Sequence, residues 1–313
     1  MSTSSLTPSE LAASIDPAVT KTVPRATGGR STGGRLCGGF LSSELVTMFR
    51  RWRNRALLIA LAVIPVALGL ALKLTTGTAN GGGGNGGGGG GSGFIDQVSN
   101  NGLFLVFVAL TLTLPVFLPM ALGVVAGDAI SGEASQGTLR YLLVAPVGRS
   151  RLLAAKGISL VLFCFVSSFV VSISAWVTGL VLFPLGRVTL LSGDTVSYSD
   201  ALLIAVLITV VVAVSLLGLA AIGLFVSTLT DTPIAAMAVT VGVTILSGIL
   251  QSIPQLSSIQ PWLFTDQWTS FADLLRDPVY TANIVHNLWI QLLYVAVFGS
   301  AAWARFSGRD VLS

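Results

Sequence analysis

The side chains in this chain that could carry covalent or acid–base chemistry are few. There is one histidine, His286, and there are two cysteines, Cys37 and Cys164. A zinc protease of the H-E-x-x-H kind needs two imidazoles, and one cannot supply them. A serine nucleophile could use His286 as its base, yet no G-x-S-x-G elbow lies in reach of it. Cys37 precedes the first apolar run and Cys164 lies inside the third. Thiols in those two environments form no disulfide, and a pair of them builds no metal site. The glycine tract at Gly81–Gly93 invites a phosphate-cradling reading, but that loop needs a lysine after its glycines and none follows. What remains is the chemistry of binding. It concentrates in G-E-A-S-Q-G-T-L-R-Y-L-L-V-A-P-V-G-R-S-R-L-L-A-A-K, from Gly132 to Lys156. This stretch is too polar to span a bilayer and too patterned for a passive loop, which makes it a docking element for a second protein.

Its parts predict a helix over about 132–147. Ser131 would cap the N-terminus, where the first amides lack partners. Glu133 would sit in the first turn, where the helix dipole favours negative charge. Leu139, Leu142 and Leu143 fall at i, i+3 and i+4 and form one apolar stripe. Pro146 stops the helix, and Arg149, Arg151 and Lys156 mark the return to the membrane. The stripe is too short to be a core, so it must face lipid, its own bundle or another protein.

The elements that position this stretch are membrane spans. The chain is 53% hydrophobic and only 10% charged, with a mean hydropathy of +0.85, whereas soluble domains carry roughly 25% charged residues. Six apolar runs approach the roughly 20 residues that cross a bilayer: Ala56–Leu72, Leu103–Ala126, Leu152–Leu182, Leu202–Leu229, Ile234–Ile253 and Leu288–Ala304. They are continuous rather than alternating, which excludes a β-barrel. The expected fold class is therefore an all-α integral membrane protein. The net charge of +4 does not point to nucleic acid, because the basic residues cluster at span ends. Arg50, Arg51, Arg53, Arg55, Arg140, Arg149, Arg151, Lys156, Arg305 and Arg309 fall on one side, against Lys73, Arg187 and Arg276 on the other. The positive-inside tendency then puts both termini in the cytoplasm.

Residues 1–39 are rich in Ser, Thr, Gly, Pro and Ala without apolar period, the composition of a disordered cytoplasmic tail. The L-C-G-G at Leu36–Gly39 lacks the preceding apolar stretch of a lipoprotein signal. The R-R-W-R-N-R at Arg50–Arg55 precedes a retained span rather than a cleaved twin-arginine leader. From Phe40 to Trp52, the residues Leu41, Leu45, Met48, Phe49 and Trp52 recur at helical spacing and predict an interfacial helix. Outside the membrane, residues 81–93 form a flexible tether. The aromatic segment 255–287, with Trp262, Phe264, Trp268, Phe271 and Leu274, reads as short amphipathic helices that either cap a cavity or anchor the fold.

No Asp, Glu, Lys or Arg lies near the middle of a span, and Asp128 sits at the inner end of the second. Ion-coupled carriers usually place ionisable groups there, so the pattern favours an apolar or amphipathic cargo. Hydroxyls at Ser167, Ser168, Ser172 and Ser174, and the row Thr240, Thr244 and Ser247, either line a pathway or bond across and along helices. Pro65, Pro115 and Pro119 predict kinks in the first two spans.

The pattern E-x-x-x-G-T-L-x-x-L-L-x-x-P-x-x-R, here Glu133, Gly137, Thr138, Leu139, Leu142, Leu143, Pro146 and Arg149, resembles the coupling-helix region of ABC-2-type ABC transporter permeases. The order of the chain is similar too: an inner amphipathic helix, six spans, the motif after the second, an aromatic outer segment before the sixth. The resemblance covers about Phe40 to the C-terminus; the glycine insert and the long N-terminus have no counterpart in it. It implies a permease domain over 40–313 in a prokaryotic plasma membrane. That permease would be paired with a second half as homodimer or heterodimer and docked on a cytoplasmic ABC ATPase subunit. ATP and Mg would sit on that partner, since this chain has no Walker A lysine motif. Such permeases are similar to exporters and perform no chemistry themselves. Leu139, Leu142 and Leu143 would fill the ATPase groove. Glu133 and Arg149 would brace the element, or else Glu133 caps a helix and Arg149 anchors to lipid phosphates. An ion-coupled secondary transporter and a non-transporting structural subunit are the alternative readings.

Overall fold

The computed structural model describes residues 44–79, 101–135, 149–184, 188–189, 195–276 and 278–308. Residues 1–39, the glycine tract 81–93 and residues 136–148 lie outside them. Among the described residues a short helix α1 (residues 44–50) is followed at once by α2 (Trp52–Ala79). Then come α3 (Phe104–Thr113) and α4 (Phe117–Ser135), α5 (Arg149–Leu182), α6 (Tyr198–Ser215) and α7 (Leu217–Leu229), α8 (Pro233–Gln251) and α9 (Ala282–Ser307). Six stretches are long and apolar enough to cross a membrane, Trp52–Thr75, Phe117–Ser135, Ser150–Leu182, Tyr198–Leu229, Pro233–Gln251 and Ala282–Ser307, the make-up of a multi-pass membrane protein. A two-residue antiparallel ladder pairs Val188 with Val196 and Thr189 with Thr195 ahead of α6. The Ser197 hydroxyl then caps α6 by accepting from the Asp200 amide at 3.3 Å.

The second expected span is two helices. Pro115 has no amide to give to a helical ladder, and the chain turns at Leu114–Val116. Of the two pieces, α3 has only ten residues, too few to span, and is buried along Leu103–Phe107 and at Ala109 and Leu110. The piece that spans is α4, which runs nine residues past the expected end at Ala126, to Ser135. Pro119 falls in its first turn, where no amide is required, and Pro65 lies within an α2 that continues to Ala79. The sixth span starts at Ala282 rather than Leu288, so residues 282–287, expected in the outer segment, are its first turns. The rest of that segment forms three short 3-10 helices, Pro254–Leu256, Gln260–Trp262 and Trp268–Leu275. Phe264, Trp268 and Phe271 are buried, and Trp262 is exposed.

Leu216 interrupts the fourth span between α6 and α7. Backbone groups freed inside a bilayer must find partners within the protein, and α9 supplies them. The Gly218 amide donates to Gln291 Oε1 at 3.0 Å, and Gln291 Nε2 donates to the Phe264 carbonyl at 2.8 Å and to Asn287 Oδ1 at 3.1 Å. Asn287 Nδ2 donates to Ser215 Oγ at 2.6 Å, and the Trp268 indole N–H donates to the Ser215 carbonyl at 2.8 Å. The break, the aromatic segment and α9 are thus one hydrogen-bonded unit.

The hydroxyl rows serve packing. The buried residues of α8 are Ala236, Thr240, Thr244 and Ser247, so the row is the face by which α8 leans on α4. Thr240 donates back to the Ala236 carbonyl at 2.8 Å, Thr244 to Thr240 at 3.2 Å, and Ser247 pairs with Thr265 at 2.6 Å. On α5, Ser172 bonds across to Thr209 at 2.7 Å, Ser174 donates to the Ala62 carbonyl, and Ser167 donates back to Cys164 at 3.1 Å. Ser168 Oγ is buried without a hydrogen-bond partner.

Two close approaches fix the bundle. At Gly127 an added Cβ would lie 2.7 Å from the Met237 amide nitrogen, so α4 meets α8 backbone to side-chain root. Gly102 and Gly179 touch through their backbones: a Cβ on Gly179 would fall 2.1 Å from the Gly102 carbonyl oxygen. Replacing Gly179 by Ala should destabilise the folded state by about 1–3 kcal/mol through overpacking. Gly242→Ala, where a Cβ meets nothing within 4 Å, should leave it unchanged. Thermal unfolding of the two variants in detergent checks the difference.

Candidate functional site: the ion-paired end of the bundle

The predicted docking residues Gly137, Thr138, Leu139, Leu142, Leu143 and Pro146 lie outside the described residues, and Arg149 is the first residue of α5. Glu133 is described, in a setting different from the expected one. Residues 132–135 continue α4 rather than starting a new helix, so Glu133 lies within α4 and not in a first turn. Ser131 is no N-cap either: it lies inside α4, its hydroxyl donates to the Gly127 carbonyl, and its amide donates to Ser227 Oγ at 3.0 Å. A carboxylate buried this deeply needs a cation.

Lys156 of α5 is that cation. Its ammonium bonds Glu133 Oε1 and, at 2.7 Å, Glu44 Oε2 of α1. The three side chains are only 10–14% exposed, so the charges stand in a low-dielectric setting where each depends on the others. One lysine therefore joins three helices. A second cluster lies beside it. Asp128 Oδ2 accepts from Arg51 Nη1 at 2.6 Å and is paired with Arg53 Nη2 at 2.7 Å. Gly132 makes room for it, since a Cβ there would fall 2.4 Å from Asp128 Oδ1. In these contacts three carboxylates balance three cations, so the end of the bundle is neutral where its pairs meet.

The turn from α1 into α2 is held by side chains that reach back to its last carbonyls. Asn54 Nδ2 donates to the Met48 carbonyl at 2.8 Å and Arg55 Nε to the Phe49 carbonyl at 2.9 Å, the groups that a helix end leaves without intrahelical partners. Asn54 Oδ1 is buried and takes no hydrogen bond from the protein. It lines a cavity of about 40 Å³ together with Glu44, Arg51, Asp128 and Lys156, large enough for a water molecule. Among the described residues no group of three or more His, Cys, Asp or Glu could hold a metal ion. His286 lies exposed near the other end of α9, its Nε2 3.1 Å from the Pro261 carbonyl, and Cys164 is buried within α5.

The sequence reading treated Lys156 only as a marker of the return to the membrane and passed over Glu44. Both carry a signal. Lys156 stands four residues inside an apolar run, and Glu44 is the one acid between Phe40 and Arg55. A lysine placed there requires a buried partner.

Lys156→Met should cost about 3–5 kcal/mol, because it leaves two buried carboxylates without their cation. The triple variant Glu44→Gln, Glu133→Gln, Lys156→Met should recover most of that loss, since stranded charge rather than the missing bonds sets the cost. Denaturant unfolding in micelles measures both; equal losses would refute the assignment.

A comparison with curated proteins gave no match. A family model described as a protein of unknown function (DUF2705) matches residues 74–312, from the end of α2 to beyond α9. That match takes in most of the chain, including Asp128, Glu133 and Lys156, and the chain therefore belongs to the DUF2705 family.

Proposed function

We propose that this chain is the permease subunit of an ATP-driven exporter of the ABC-2 type. Segment 136–148 would dock on a separate ATPase subunit through Leu139, Leu142 and Leu143. The observation that carries the reading is the Glu44–Lys156–Glu133 bridge. Glu133 and Lys156 flank that segment on the N- and C-terminal sides, and Lys156 bonds both Glu133 and Glu44 of α1. A force applied to the segment would then pass to α1, α4 and α5 together instead of being absorbed by a loose loop.

In this reading α1 lies in the inner interface, the ion-paired end and both termini face the cytoplasm, and the membrane is the plasma membrane. The clustered basic residues support that orientation through the positive-inside tendency. A second permease half, identical or related, completes the path, and two ATPase subunits supply ATP and Mg. The cargo is hydrophobic or amphipathic. Against an ion-coupled carrier stands the use of the buried amides: Asn287 and Gln291 are spent on the break at Leu216.

Leu142→Asp should leave membrane insertion intact while lowering recovery of the ATPase subunit with the purified chain by about tenfold or more, the effect of losing at least about 1.4 kcal/mol of docking energy. ATP-dependent transport in vesicles should fall with it. Unchanged recovery and unchanged transport would defeat the docking reading.

A further inference from the structure

Away from the ion-paired end's interior, α5, α7 and α9 enclose a groove. Its floor is α7, where Ala221 and Leu224 are buried, and its walls are α5, with Leu153 and Ile158, and α9, with Gly299 and Trp303. Along α5 the groove runs from Ser150 to Val161, a rise of roughly 17 Å at about 1.5 Å per residue. That is about half of the roughly 30 Å hydrocarbon core, the depth of one leaflet.

The empty space of the groove, open side included, is about 930 Å³. Packing demands do not close it. A Cβ on Gly299 would meet nothing within 4 Å, and one on Gly157 would make only ordinary contact, 3.7 Å from Leu224 Cδ2. These glycines keep the walls low, in contrast to Gly102 and Gly127, which permit a helix contact.

Ser150 of α5 lines one end of the groove. Arg151 stands seven residues before Ile158, close to two full turns, and so on the same face of the helix. Arg151 is exposed and makes no ion pair among the described residues, whereas Arg51, Arg53 and Lys156 are all paired. Trp303, 55% exposed, is of the type that settles at headgroup level.

We propose that this groove is a binding site for one phospholipid with an anionic headgroup, its acyl chain laid along α7 between α5 and α9 and its phosphate against Arg151. Inside a bilayer apolar matching alone gives little preference, because lipid tails are as apolar as leucine. Selectivity must come from shape and from the Arg151 cation.

The test is native mass spectrometry of the whole chain extracted from vesicles of phosphatidylcholine and phosphatidylglycerol. The wild-type chain should retain phosphatidylglycerol in preference to phosphatidylcholine. Gly299→Leu fills the groove where a Cβ meets nothing, so it should fold normally and lose about tenfold of the retained lipid. Ala154→Leu, an exposed position on the opposite wall, should do the same. Arg151→Ala should keep lipid but lose the headgroup preference. Full retention in both groove-filling variants overturns the site, as does an unchanged preference in Arg151→Ala. Loss of a dimer mass in Gly299→Leu with lipid retention intact would give the groove to a second copy of the chain instead.

Discussion

A lysine ammonium buried between two carboxylates cannot be removed without leaving negative charge in a poor solvent for it. Lys156 is in that position, and the organisation of one end of the molecule follows from it. Glu44 brings α1 to the bundle, Glu133 ties in α4, and Lys156 sets the height of α5 against both. Around this knot the Arg51–Asp128–Arg53 cluster and the reach of Asn54 and Arg55 to α1 carbonyls set the turn between α1 and α2. Glu133 and Lys156, which lie on either side of residues 136–148 in the sequence, are thereby bonded to each other.

The opposite part of the bundle obeys a different constraint. A helix broken inside a bilayer exposes peptide groups that water cannot reach. The break at Leu216 is tolerated because Gln291, Asn287 and Trp268 take up what it frees. The aromatic segment is not a loose cap. Its Phe264 carbonyl and Trp268 indole are members of the same network, so it is part of the support for α6, α7 and α9. The bundle is thus tied by ion pairs at one end and by a hydrogen-bonded break deeper in.

Much of this was legible in the residues. Continuous apolar runs marked out the spans, and the polar part of the buried face of α8, Thr240, Thr244 and Ser247, was visible at helical spacing. Hydropathy alone does not separate a straight span from a broken one, because Pro115 and Leu216 sit within runs that remain apolar throughout. The start of α9 was missed since Asn283, His286 and Asn287 look like loop residues, although Asn287 is buried against Ser215. Glu133 was misread for a related reason: a Ser followed by Glu looks the same as a helix start whether the preceding helix has ended or continues. Ser227, which donates to the Gly127 carbonyl and accepts from the Ile130 and Ser131 amides, is a partner 96 residues away that no local pattern announces.

Glu44, through Lys156, holds α1 against α4 and α5. Paired spin labels at the exposed positions Val46 and Ser135, measured by pulsed electron resonance in lipid nanodiscs, test it directly. The wild-type chain should give one narrow distance distribution. Glu44→Gln, which leaves the Lys156–Glu133 pair in place, should give a broad one. Distributions of equal width in the two proteins would contradict the account.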